Sequence, residues 1–233
     1  METLMTAGFW VAVGQIILID IVLGGDNAVV IALACRNLPP QQRKLGILYG
    51  TAGAIVLRVV LIAFALALLS VPYLKIGGAL LLVWIGVKLM MPEGHDDHNI
   101  SSSDKLWGAV KTVIIADLVM SVDNVIAIAG AAQGGGEHQL VLVIFGLLVS
   151  IPIIVAGSQL VLKLMTRFPI VITLGAMLLG WIAGQMAFTD PAVKPWLPTE
   201  KFWEYAAAAA GALLVLAIGK FIQSRAPAPN TPA

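Results

Sequence analysis

Charge is what this sequence has least of. Only 12% of its residues are Asp, Glu, Lys or Arg, against about 25% in an ordinary soluble domain. So few charges cannot cover the surface of a soluble fold of 233 residues. An excess of either sign is lacking too: the net charge of +1 excludes a nucleic-acid face built on bulk positive charge. Cysteine is reduced to Cys35, which rules out a disulfide framework and a zinc knuckle. Met1 to Gln15 has neither a basic leader nor a cleavage-like end, so the first apolar run reads as a retained helix.

Apolar sequence is what fills the chain, at 59% of residues with mean hydropathy +0.95. Several runs reach the roughly 20 residues needed to cross about 30 Å of hydrocarbon. Seven helices are predicted, over about 9–34, 45–69, 75–91, 109–132, 139–165, 169–189 and 203–221. Pro39-Pro40 and Pro72 punctuate the first two breaks. Gly134-Gly135-Gly136 follows the fourth helix, and Pro191, Pro195 and Pro198 precede the seventh.

Lys and Arg set the orientation. Arg36, Arg43, Lys44, Lys105, Lys111, Lys163, Arg167, Lys220 and Arg225 fall on one set of ends and loops; Lys75, Lys194 and Lys201 fall on the other. The positive-inside rule makes the richer set cytoplasmic, with the N-terminus outside and the C-terminus inside. Trp10, Tyr73, Trp196 and Trp203 fit an outer interfacial belt, and Trp107 an inner one.

An internal repeat organises the chain. The run from Ile17 through Asp20 to Gly24, Gly25, Asp26 and Asn27 matches the run from Ile114 through Asp117 to Ser121, Val122, Asp123 and Asn124, at an offset of 97. The same offset places Gly78-Ala79 on Gly175-Ala176 and Trp84 on Trp181. Helices one to three therefore recur as four to six. Three spans is an odd number, so the two halves enter the membrane from opposite sides, as in many transporters. The expected fold is all-α: a polytopic membrane protein with seven transmembrane helices, an inverted 3+3 repeat and one extra helix. It forms a single transmembrane domain over 1–233, with repeat A about 9–91 and repeat B about 109–189. A cytoplasmic loop is expected over 92–108 and a disordered tail over 226–233.

Four acidic residues lie inside predicted spans: Asp20, Asp26, Asp117 and Asp123, all within the repeated motif. Each costs about 2.5–3.5 kcal/mol at a helix centre, unless it sits close enough to the interface to be hydrated. Asp20 and Asn27 are seven residues apart and share a helix face, as do Asp117 and Asn124. Gly24 lies on the first stripe, and its counterpart Ser121 offers a hydroxyl. Asp26 and Asp123 lie about 9 Å further along and roughly 120° round a regular helix. A break at Gly24-Gly25 would bring Asp26 closer and free backbone carbonyls, as in discontinuous transporter helices. Carboxylate, amide and hydroxyl oxygens suit Mg²⁺, Ca²⁺ or Mn²⁺ better than Zn²⁺ or Cu⁺.

Arg58, near the middle of the second helix, needs a carboxylate partner, with Asp20 or Asp117 the natural candidate. Lys88 is read as snorkelling, Gln185 as packing only, and Gly180 with Gly184 as a small-xxx-small helix contact. His95, Asp96, Asp97 and His98 carry ligand types for loose metal binding, but such a run is more often a solvated loop.

The segments Gly24-Gly25-Asp26-Asn27-Ala28 and Ser121-Val122-Asp123-Asn124-Val125 resemble the signature of the TerC family of integral membrane proteins, in particular its short YjbE-like branch. The resemblance runs from about residue 10 to 221. It implies metal-ion homeostasis, with Mn²⁺ efflux the best-supported activity, in a bacterial inner membrane; the family's name records tellurite resistance. Asp26, Asn27, Asp123 and Asn124 match the motif, with Asp20 and Asp117 as companions. The metal is then substrate rather than cofactor, and no enzymatic activity is expected. Partners are the divalent ion and the bilayer, with no nucleic acid; homo-oligomerisation is left open. Four carboxylates against Arg58 carry a net charge of −3, and a divalent ion leaves −1. An empty site is therefore expected to hold protons that the metal expels, which would couple the two. Two rivals stand beside the exporter. One is an assembly factor that contacts secretory or metalloprotein partners without moving ions. The other is an intramembrane aspartyl protease, disfavoured because Asp20 follows Ile19 where that chemistry favours Tyr-Asp.

Overall fold

A computed structural model describes residues 10–11, 13–18, 25–64, 71–91, 102–132 and 139–225. The described residues are helical and contain no strand. Residues 13–18 are helical, followed by α1 (Gly25–Cys35), α2 (Pro40–Ala63) and α3 (Leu74–Met90). Then come α4 (Ser102–Ala132), α5 (Gln139–Arg167), α6 (Ile170–Phe188), a 3₁₀ turn at Lys194–Trp196, and α7 (Lys201–Arg225). Among the described residues four helices are long and apolar enough to cross a membrane: Pro40–Ile62, Val143–Arg167, Ile170–Phe188 and Lys201–Arg225.

Several helix ends outrun the apolar runs that mark them, whereas α2 stops at Ala63, with Phe64 as its C-cap, short of the predicted 69, and α6 at Ile170–Phe188 falls just inside its predicted range. α2 starts at Pro40, not at 45, because a proline at the first helical position gives up no hydrogen bond and arrives with helical φ. α4 starts at Ser102, so residues 102–108 belong to a helix and not to the expected loop; Asp104 in its first turn complements the helix dipole. α7 extends to Lys201 and Arg225, each past its apolar stretch. Hydropathy marks where lipid would begin, whereas backbone hydrogen bonding continues into polar residues. His95 to His98 and the tail 226–233 lie outside the described residues.

Helix pairing follows the repeat. α1 packs chiefly on α5, α2 on α4 and α3 on α6, while α7 lies against α6 and α3. Glycines set the closest approaches. A methyl on Gly50 of α2 would press into Val113 of α4, and one on Gly146 of α5 into Ile16; Ile16 and Val113 stand at the repeat offset. Gly78 faces Val119 of α4, and its repeat mate Gly175 faces Val29 and Leu33 of α1. α6 and α7 meet backbone to backbone, since a methyl on Gly180 would strike the Gly211 carbonyl and one on Gly184 the Ala207 carbonyl. The small-xxx-small reading of that pair holds.

Among the described residues three larger apolar cores fill the bundle, with a smaller one of Val87, Met90, Ala176 and Val215 between α3, α6 and α7. One joins Ile31, Cys35, Leu38, Ile47, Leu106, Val113, Leu162 and Met165 at the basic end. There Arg36 donates to the Met91 carbonyl (3.0 Å) and Gln223 to the Met90 carbonyl (2.8 Å). A second core, including Ile16, Ile55, Ile128 and Leu147, fills part of the opposite half. The third, including Val30, Leu82, Ile85, Met120 and Leu179, joins α3, α4 and α6. Large apolar side chains such as Val56, Leu80, Leu160, Leu174 and Leu213 point outward. Trp10, Tyr73, Trp107, Trp196 and Trp203 are exposed, and Lys88 lies over the Trp84 ring at 5.1 Å.

Asp190, just past α6, holds the start of α3. Its buried carboxylate accepts backbone N–H groups of Tyr73 (3.1 Å), Lys75 (3.1 Å) and Ile76 (3.2 Å), and of Ala192 (2.8 Å). Burial alone would push this carboxyl up; donation from Ala192, Tyr73, Ile76 and Lys75 outweighs it and holds the group below the usual carboxylate range. The unfolded chain then binds the proton more tightly, so Asp190 stabilises the fold above about pH 4 and that stabilisation fades as pH falls through the lower folded value. Asp190→Ala removes a helix cap and leaves part-buried N–H groups without their acceptor, a loss of about 2–4 kcal/mol. The expected fall in melting temperature is about 5–10 °C at pH 7, with a smaller difference from wild type at pH 3. An unchanged melting temperature at pH 7 would refute this role.

Candidate functional site

The polar residues of the bundle interior gather where the three cores meet. Arg58 of α2 is buried, and its Nη2 donates to Asp117 Oδ1 of α4 at 2.5 Å. Arg58 Nε donates to Ser121 Oγ (3.1 Å), and that hydroxyl donates in turn to Asp117 Oδ2 (3.1 Å). Asp117 and Ser121 are one helical turn apart, which aims both at the same guanidinium. The close α2–α4 approach at Gly50 and Gly53 brings Arg58 within reach of them. Of the two partners predicted for Arg58, Asp117 is bonded to it, while Asp20 lies outside the described residues. A charge-assisted fork of this kind is the form in which a buried Arg is tolerated.

A small cavity of about 20 Å³ adjoins this ion pair, room for one water-sized occupant. Its polar lining is Asn27, Thr51, Arg58 and Asp117; Ile31, Ile55, Val113 and Ile154 are among the apolar side chains that close it. Asn27 and Thr51 are buried, and the amide nitrogen and oxygen of Asn27 and the hydroxyl of Thr51 have no hydrogen-bond partner.

The other predicted site residues are placed as follows. Gly25 opens α1 and is already helical, with open space where a side chain would stand. Asp26 follows in the first turn, half-buried, and its Oδ1 accepts the Asn27 N–H at 2.9 Å. The charges of Asp117 and Arg58 both act on Asp26. α4 runs unbroken through Ser121, Val122, Asp123 and Asn124, so the second motif has no helix break. Asn124 is half-buried on α4. Asp20, Gly24 and the side chain of Asp123 lie outside the described residues. Among the described residues no group of three His, Cys, Asp or Glu is placed to hold a metal.

Sequence reasoning passed over Thr51. A usable signal was present: Thr51 is seven residues before Arg58, hence on the same helix face. Chemically the arrangement offers one carboxylate under the control of a tethered cation, next to neutral oxygens that lack partners. A hard cation arriving at Asp117 would compete with Arg58 for it.

Similarity to known proteins extends over most of the chain. A family model described as the integral membrane protein TerC family matches residues 5–227. The chain is 44% identical to the uncharacterized membrane protein YjbE of Bacillus subtilis over 172 residues, 74% of this chain and 77% of the relative. It is 30% identical to the uncharacterized membrane protein YceF of the same organism over 195 residues, 80% of this chain and 74% of the relative. Over 193 residues it is 27% identical to the UPF0053 protein YegH of Escherichia coli, 75% of this chain but 36% of that longer protein. No solved structure matches.

Proposed function

Since the chain belongs to the TerC family of integral membrane proteins, we propose that it is a carrier exporting a hard divalent cation, Mn²⁺ foremost, by alternating access. The observation that carries this reading is the buried Arg58–Asp117–Ser121 cluster beside a water-sized polar cavity. Ionisable residues inside an apolar bundle are costly, and they mark ion pathways when they face the interior. Asp20, Asp26, Asn27, Asp117, Asp123 and Asn124 form the proposed ligand set, supplied by the two motifs.

The carrier would cross the membrane seven times as two inverted repeats of three helices, with α7 outside the repeat. The exchange pattern supports this: α1 on α5 mirrors α4 on α2, and Gly78 on α4 mirrors Gly175 on α1. Rocking of such halves about a shared site is how inverted-repeat carriers expose it alternately. We place the chain in the bacterial inner membrane, with the Lys- and Arg-rich end cytoplasmic. The carrier performs no covalent chemistry, and the metal is cargo.

Reconstitution into sealed liposomes tests the reading. Purified protein should admit Mn²⁺, reported by a trapped metal-sensitive dye, well above protein-free liposomes. A proton gradient opposed to the metal flux should accelerate entry if the two are exchanged. Absence of Mn²⁺, Ca²⁺ and Mg²⁺ flux would reject the carrier and favour an assembly role.

A further inference from the structure

We infer that Thr51 and Asn27 form an uncharged oxygen pocket that takes the partly dehydrated divalent cation beside Asp117, with Thr51 a specificity-determining ligand. This rests on the carrier reading and adds α2 to a ligand set otherwise drawn from the two repeated motifs.

The case begins with how helical hydroxyls normally satisfy themselves. A Thr or Ser in a helix bonds back to a carbonyl three or four residues earlier. Thr112, Ser150, Ser158 and Thr166 all do so in this molecule, at 2.7–2.9 Å. Thr51 does not: it is 2% exposed, and its hydroxyl has no partner. Asn27, 4% exposed, leaves both atoms of its amide head equally unpaired. Three stranded buried polar atoms disfavour the fold by about 1–3 kcal/mol each. All three belong to residues lining one cavity, large enough for a water-sized occupant. The three converge on that one cavity; Gln42 Oε1 in the first turn of α2, also without a partner, lies away from it.

Donor chemistry selects the occupant. Amide and hydroxyl oxygens with a carboxylate are the ligands of a hard cation, and among the described residues no thiolate or imidazole lines the cavity. Asp117, the carboxylate that lines the cavity among the described residues, is held by Arg58 in this state. The neutral oxygens therefore meet the ion first and replace part of its hydration shell, before Asp117 is exchanged from Arg58 to the metal. An ion that holds its water tightly, such as Mg²⁺, gains less from two neutral oxygens than Mn²⁺ or Ca²⁺ does. Thr51 would thus set discrimination against Mg²⁺.

Two substitutions test this in the purified full chain, with Mn²⁺ and Mg²⁺ as probes. Thr51→Val keeps the shape and removes the oxygen; Thr51→Ser keeps the oxygen and removes a methyl. Mn²⁺ affinity by calorimetry should fall about tenfold in Thr51→Val, equivalent to about 1.4 kcal/mol. Thr51→Ser should stay within about threefold of wild type. Affinity for Mg²⁺ should change less, so the preference for Mn²⁺ narrows in Thr51→Val only. Protein stability without metal should be equal or higher in Thr51→Val, since a stranded hydroxyl is gone. Unchanged Mn²⁺ affinity in Thr51→Val would mean that the cavity holds only water, and would overturn the inference while leaving the carrier reading intact. A wild-type protein that binds no Mn²⁺ would overturn both.

Discussion

Arg58→Met is expected to destabilise the folded protein by about 3–5 kcal/mol, the usual effect of leaving one partner of a buried ion pair uncompensated. Arg58 and Asp117 are 2% and 6% exposed, so water cannot take over for the lost guanidinium. Ser121 would remain as a neutral donor to Asp117. Methionine fills much of the vacated volume, which keeps the effect electrostatic rather than one of cavity formation. The decisive comparison is Arg58→Met combined with Asp117→Asn. Replacing both members of a buried pair by uncharged groups is often nearly neutral. The double variant should therefore regain most of the folded yield and thermal stability in detergent. A double variant as unstable as Arg58→Met would show that Asp117 is not the charge Arg58 compensates.

That pair also shows what a sequence can and cannot disclose. A buried Arg demands a carboxylate, and chemistry alone narrowed the choice to Asp20 or Asp117. That Asp117 is one such partner depends on the lateral packing of α2 on α4, set by glycines whose neighbours no spacing rule reveals. Ser121 was legible as the hydroxyl that replaces Gly24 in the repeat, and the structure places it between Arg58 and Asp117. Thr51 was hidden for the opposite reason. A lone Thr in an apolar helix normally satisfies itself, so its seven-residue spacing from Arg58 carried no alarm. Asp190 was equally silent, because an Asp-Pro pair after a helix reads only as a turn; its role as cap to α3 depends on α3 and α6 ending side by side. The polar ends of α4 and α7 outran their predicted ranges for one cause. Hydropathy measures affinity for lipid, whereas α4 and α7 are held at their ends by backbone hydrogen bonds that polar residues make equally well.

Loss of transport without loss of fold is the second large effect, and Asp26→Asn is the substitution that should produce it. Asp26 uses one oxygen to accept the Asn27 N–H at the start of α1. Asparagine is as good a residue as aspartate for that task, because its side-chain carbonyl accepts the same bond. Membrane insertion, helix start and Asn27 orientation should therefore survive. What disappears is a negative charge within electrostatic reach of Asp117 and Arg58. A hard divalent cation draws most of its binding from ionised oxygens, and an amide oxygen replaces one poorly. Removing a group that merely supports a ligand already reduces metal affinity by about 10–100-fold, so loss of a ligand itself should reduce Mn²⁺ flux by about 100-fold or more. Asp123→Asn, the counterpart in the second motif, should behave alike if the two halves contribute equally to one site. Flux into liposomes and Mn²⁺ tolerance of cells should both collapse at unchanged protein level and unchanged melting temperature. Wild-type flux in Asp26→Asn and Asp123→Asn would separate the repeated motifs from the transport site. A parallel fall in melting temperature would instead assign these carboxylates to the stability of the bundle.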